Sequence, residues 1–120
     1  MTMKDSTEIR LIFAFNINDI EQFSQLVKAC SAYVAANEPG TLSYDWYIDK
    51  DRTSGKLYEV YENAAAFERH VTGPVFTEIV PQYIHSMSWS NIEAFGDMPD
   101  IFFAMTKDLA AVTWGEPVVF

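Results

Sequence analysis

Apolar and polar positions alternate over residues 8–16, with Ile9, Leu11, Phe13 and Phe15 on one side and Arg10, Ile12, Ala14 and Asn16 on the other. That is the period of a strand. Asn18 stands where a helix N-cap belongs, with Glu21 three residues on as its capping-box partner. Behind it Ile20, Phe23, Val27, Cys30 and Val34 recur at helical spacing, which predicts a helix to about Asn37, stopped by Pro39-Gly40. Alternation returns over residues 41–50, with Leu42, Tyr44, Trp46 and Ile48 on one side. The polar run 49–55 predicts a hairpin loop, and residues 56–62 the returning antiparallel strand. Asn63 caps a second helix that reaches His70 and breaks near Gly73-Pro74. A further helical stretch, residues 75–85, carries Phe76, Ile79 and Tyr83 and is kinked or shortened by Pro81. Residues 89–95 predict a fourth strand. Asp97 then caps a last helix, 99–109, with Ile101, Phe102, Met105 and Leu109 on one face, and a short strand at 112–114 closes the chain.

The order is the split β-α-β-β-α-β arrangement plus a C-terminal helix and strand. Its fold class is ferredoxin-like α+β, a four-stranded antiparallel sheet with helices on one face. Without repeats, low-complexity tracts or linkers, 120 residues read as one domain, its core about 8–97 and its C-terminal extension 98–120. The face without helices is expected to carry large apolar and aromatic side chains, enough to make it an association site. A homodimer with paired sheets follows, the C-terminal segment being the candidate for reaching across to the partner.

Composition sharpens this in two ways. Nine Phe, six Tyr and three Trp are more rings than a core this small readily hides, so a partner subunit or a ring-lined cavity should take the surplus. Seventeen acidic against eight basic residues give a net charge of -9 with no Lys/Arg cluster, which argues against nucleic acid and anionic membranes as partners. The one cysteine, Cys30, excludes an intramolecular disulfide and multi-cysteine metal patterns, and its place in the helical stripe reads as a buried thiol. The N-terminal stretch lacks a signal peptide's apolar core, and the longest apolar runs, 11–15 and 101–105, are too short to span a bilayer. A cytoplasmic location is expected.

Three stretches carry a resemblance. Glu38-Pro39-Gly40-Thr41-Leu42-Ser43-Tyr44 resembles the E-P-G-x-x-x-Y start of the second strand in the antibiotic biosynthesis monooxygenase family. Glu59-Val60-Tyr61-Glu62-Asn63, then Ala66 and His70, is similar to that family's E-x-[WY]-x-[DN]…A…H signature, and residues 91–97 resemble its fourth-strand ending, x-x-E-x-[YF]-G-D. All three keep the family's order and spacing across residues 8–97. The resemblance implies a dimeric α+β barrel. Its members include oxygenases that convert aromatic phenols or hydroquinones to quinones with molecular oxygen and no cofactor, quinol-oxidising relatives and haem-degrading relatives. Aligning Phe76 with the haem-degrading relatives' phenylalanine puts Val80 where their axial histidine stands, so haem loses its anchor. No cofactor or metal is expected.

His70 is the candidate base. Neutral imidazole can take a proton from a phenol or hydroquinone, and the electron-rich anion can then reduce oxygen. The competing reading is a histidine that ties helix to sheet through a hydrogen bond to Glu59. Glu59, between Leu57 and Tyr61 on one strand face, would orient His70 and raise its basicity, or serve structure alone. Trp46, Tyr44, Tyr61 and Trp89 are candidate pocket walls for a flat aromatic ligand, with filling of a dimer interface as the alternative. Asn91, and Asn16 from the first strand, are candidate donors to a substrate oxygen. Arg10 suits an anionic substrate or a surface ion pair, and His85 a helix end. The leading expectation is a homodimeric, cofactor-independent monooxygenase. The alternatives are a non-catalytic dimeric binding protein for an aromatic or lipophilic ligand, and an isomerase or dehydratase on the same barrel.

Overall fold

The computed structural model describes residues 7–107 and 111–115. The chain runs β1 (Ile9–Ile17), α1 (Ile20–Asn37), β2 (Thr41–Ile48), β3 (Ser54–Tyr61), α2 (Ala64–Val71), a π-helical turn (Val75–Ile79) leading into α3 (Val80–Gln82), β4 (Met87–Phe95), α4 (Asp100–Thr106) and β5 (Ala111–Gly115). The sheet order is β2-β3-β1-β4-β5. The first four strands pair antiparallel, and β5 lies parallel to β4. The sheet therefore has five strands where four were expected. The C-terminal strand extends its own sheet, because α4 carries the chain back to the end where β4 began, the connection a parallel pair needs.

The alternation in β1 separates the two faces. Ile9, Leu11, Phe13 and Phe15 are buried, while Arg10 and Asn16 are exposed. Leu57 and Tyr61 of β3 and Ile92 and Ala94 of β4 join the buried row, and Phe23, Ala66, Phe67 and Phe102 cover it from α1, α2 and α4. One irregularity interrupts the pairing. The β1–β4 register shifts between Ala14 and Phe15, so that Phe15 faces Trp89 while Ala14 faces Asn91. The extra residue, Ser90, resets the alternation as a β-bulge does.

Two helix starts differ from expectation. Asp19, not Asn18, caps α1, its carboxylate accepting from the N–H groups of Glu21 and Gln22 at 3.1 Å each. A negative charge there also suits the helix dipole. Asn18 instead donates to Ser88 Oγ at 3.0 Å. Pro99, with no side-chain bond, takes the cap position of α4 in place of Asp97. Leu109, expected in that helix, lies outside the described residues. Asn63 caps α2 as expected, accepting from Ala66 N–H at 2.9 Å.

Two motif glycines have steric reasons. A Cβ on Gly40 would stand 2.8 Å from Ala66 Cβ, so the turn out of α1 can pass α2 only without a side chain. Gly96 ends β4 with φ +116, where L side chains rarely sit.

The open face of the sheet carries fewer rings than expected. Tyr47, Tyr58 and Phe95 lie there with Ile12 and Val60, alongside Asp45, Lys56 and Glu93 in the same cross-strand rows. Tyr44, Trp46 and Trp89 are on the helix-covered face, opposite Glu59, Leu57 and Phe15. The surplus of aromatic surface thus goes mainly inside. No helix among the described residues is long and apolar enough to cross a membrane.

Candidate active site

Ala66, Phe67 and His70 form the buried stripe of α2, at the i, i+1, i+4 spacing that turns them together toward the sheet. His70 is 2% exposed and boxed by the rings of Tyr44, Tyr61 and Phe76, with centroids 5.5, 5.5 and 5.6 Å from its own. Both ring nitrogens face carboxylates. Nδ1 lies 2.7 Å from Glu38 Oε1 and Nε2 lies 3.6 Å from Glu59 Oε1. Glu59 accepts a hydrogen bond from the Tyr61 hydroxyl, and Glu38 accepts one from Thr41 Oγ1 at 2.9 Å.

The two carboxyls are driven in opposite directions. Burial opposes charge on Glu38, but hydrogen bonds from His70 and Thr41 and the electrostatic pull of His70 and Arg69 outweigh it, and the group titrates below its ordinary value. Glu38 is thus an ionised acceptor, which assigns the proton on Nδ1 as the donor to it. Burial pushes Glu59 above its ordinary value, more than His70 and Tyr61 draw it down. Burial likewise raises the Tyr44 and Tyr61 phenols well above theirs, with the Glu59 charge adding to both.

Between helices and sheet, His70 and Glu59 help to wall a chamber of about 20 Å³. The sheet supplies Phe13, Tyr44, Trp46, Leu57, Met87 and Trp89; α1 supplies Leu26 and Cys30; the π-helical turn and the residue after it supply Val75, Phe76 and Val80. Pro81 has no N–H to give to the carbonyl four residues back, and the Val80 N–H instead returns five residues to Val75 O. This wider turn brings Val75 and Val80 to the same wall. Among the described residues Trp46 Nε1 is buried without a hydrogen-bond partner, a donor held in that wall. Cys30, 1% exposed, has its thiol pushed up to about 11, chiefly by burial, and is no nucleophile at neutral pH.

Of the residues expected at the site, His70, Glu59, Tyr44, Trp46 and Trp89 come together around the chamber. Tyr61 does not line it; fully buried, it sits behind Glu59 and holds it. Asn91 is on the opposite face of the sheet, turned there by the bulge at Ser90. Asn16 and His85 are exposed, and Arg10 pairs with Glu8 at 2.7 Å and donates to Tyr58 Oη at 3.0 Å, on the surface. Glu59 was expected to be the hydrogen-bond partner of His70, but that bond goes to Glu38. The E-P-G motif held its signal: an acid at the C-cap of α1, 7% exposed, beside a hydroxyl residue that bonds it.

A one-sided helical cover over four antiparallel strands, which a parallel fifth extends, defines a ferredoxin-like α+β protein. The chain belongs to the antibiotic biosynthesis monooxygenase family, which matches residues 15–82. Its fold is similar to that of MupZ from Pseudomonas fluorescens, 19% identical over 92% of each chain, with a TM-score of 0.66. It is also similar to SnoaB, a cofactor-independent oxygenase from Streptomyces nogalater, at 16% identity and TM-score 0.65, covering 79% of this chain and 97% of that one. PA3566 from Pseudomonas aeruginosa is 24% identical with a TM-score of 0.60, covering 74% and 90%. No curated protein matches the chain.

Proposed function

We propose that the chain is a cofactor-independent monooxygenase that oxidises a small aromatic phenol or quinol with molecular oxygen. The observation that carries this is the orientation of His70. Its Nδ1 is held by Glu38, leaving Nε2 on the Glu59 side, where both residues wall the chamber. A chamber of about 20 Å³ takes roughly one water-sized group, which is the size of a substrate hydroxyl.

Nε2 takes the hydroxyl proton, and the phenolate passes one electron to dioxygen. The ring radical and superoxide join through a new C–O bond, and protonated His70 returns its proton to the outer oxygen. Breaking the O–O bond with loss of the C–H proton releases water and leaves a quinone. One oxygen atom is thus in the product and the other in water. The protein supplies a base, a dry apolar enclosure and, from Trp46 Nε1, a donor for developing negative charge.

With a panel of naphthols and hydroquinones, an oxygen electrode should record uptake matched by quinone formation. Uptake no higher than buffer across the panel would overturn the oxygenase reading; if binding persisted, a ligand-sequestering protein would be the better description.

The enzyme is further proposed to be a homodimer that pairs the open sheet faces. Exposed Tyr47 and Phe95, flanking Ile12 and Tyr58, support this. Sedimentation at micromolar concentration should give twice the mass of the chain, and a monomeric mass would refute it.

A further inference from the structure

Beside the His70 chamber lies a second, larger space of about 440 Å³, bounded by Val71, Tyr83, Ile84 and Met105. It shares five wall residues with the chamber: Leu26, Phe76, Val80, Met87 and Trp89. The two spaces adjoin along these shared side chains. Their sizes differ in kind. The chamber has room for a hydroxyl, whereas the groove falls within the roughly 300–1,000 Å³ usual for small-molecule sites. None of the groove's lining side chains carries a charge, and three of them, Phe76, Tyr83 and Trp89, are aromatic. Such a lining, whose polar side-chain groups are the Tyr83 hydroxyl and the Trp89 indole N–H, suits an uncharged fused-ring body better than a sugar or a phosphate.

Resting on the phenol- or quinol-oxidising reading, we infer that the groove seats the ring system of the substrate while its hydroxyl enters the chamber, and that Met105 of α4 sets how many fused rings fit. Met105 comes from α4, beyond the residues 15–82 that the family model matches. Ile84, 64% exposed, stands at the rim.

The test measures binding without turnover, by titration calorimetry under argon, with hydroquinone, 1-naphthol and 9-phenanthrol as one-, two- and three-ring probes. Met105→Trp, which fills the groove, should weaken 9-phenanthrol by about tenfold or more while changing hydroquinone by less than about twofold, the scale at which pocket shape discriminates. Ile84→Glu changes an exposed residue and leaves the core intact. Its charge at the rim should also weaken 9-phenanthrol by about tenfold, because the ring would desolvate a carboxylate. Equal losses for all three probes in Met105→Trp, an unchanged 9-phenanthrol affinity in Ile84→Glu, or no binding of any probe to the natural chain would each overturn the assignment. Should Met105→Trp not fold, Ile84→Glu decides alone. Binding that follows ring number without oxygen uptake refutes the chemistry and keeps the groove; uptake that ignores both substitutions refutes the groove and keeps the chemistry.

Discussion

Replacing His70 by Gln is expected to lower oxygen uptake with a phenolic substrate by about 10²–10⁴-fold, the share a positioned general base ordinarily supplies. Gln is the informative choice because its amide can still donate to Glu38 while offering no basic nitrogen at the chamber. His70→Ala should lose the same activity and also stability, on the order of 3–5 kcal/mol, since it leaves Glu38 with Thr41 alone and Glu59 with Tyr61 alone in a dry interior. The pair of variants separates the two roles of the histidine. If His70 only ties α2 to the sheet, activity should fall in step with the folded fraction, and His70→Gln, if folded, should turn over normally. If it is the base, folded His70→Gln is inactive. Initial rates at several pH values together with thermal unfolding of the same samples make the distinction.

The sequence carried more of the fold than of the site. Strand alternation and the α1 stripe were enough to place every element within a few residues, because burial of one face is written in the periodicity itself. What escaped was anything decided by partners distant along the chain. Glu38 lies 32 residues from His70, and an acid before Pro-Gly reads locally as a helix end facing water; only the packing of α2 over that turn buries it. Asn91 is two residues from Trp89 and shares its face in any regular strand, but the single extra residue Ser90 turns it away. Tyr61 was placed on the correct face, yet the register sets it opposite Ile9, outside the chamber lining. The direction of β5 could not be read at all, since alternation says which side is buried and nothing about which way a neighbour runs. The rings followed the same logic. Their number announced a surplus, and the register decided that Tyr44, Trp46 and Trp89 would line an interior chamber.

The two carboxyls on His70 should respond to pH and mutation with opposite signs. Glu38 titrates below its ordinary value of 4.5 in the folded protein. Between its folded and unfolded values the unfolded chain binds more protons, so its contribution to stability is complete above 4.5 and is lost as pH falls through the folded value. Glu59 titrates above 4.5, so the folded protein holds a proton that the unfolded chain has released. Its contribution is complete below 4.5 and is lost as pH rises through the folded value. Glu38→Ala leaves the His70 Nδ1–H and the Thr41 hydroxyl without their shared acceptor, and should cost about 2–4 kcal/mol at neutral pH, as losing a charged partner inside a protein does. Glu59→Gln should do the reverse. The amide is as uncharged as the protonated carboxyl and its oxygen can still accept from the Tyr61 hydroxyl, so no charge has to be kept out of water. The variant should equal the natural protein in stability below pH 4.5 and exceed it increasingly as pH rises toward the folded value of Glu59, in urea titrations at each pH. A Glu59→Gln protein less stable than the natural one at pH 8 would mean that the charge on Glu59, and not its shape, holds the histidine in place.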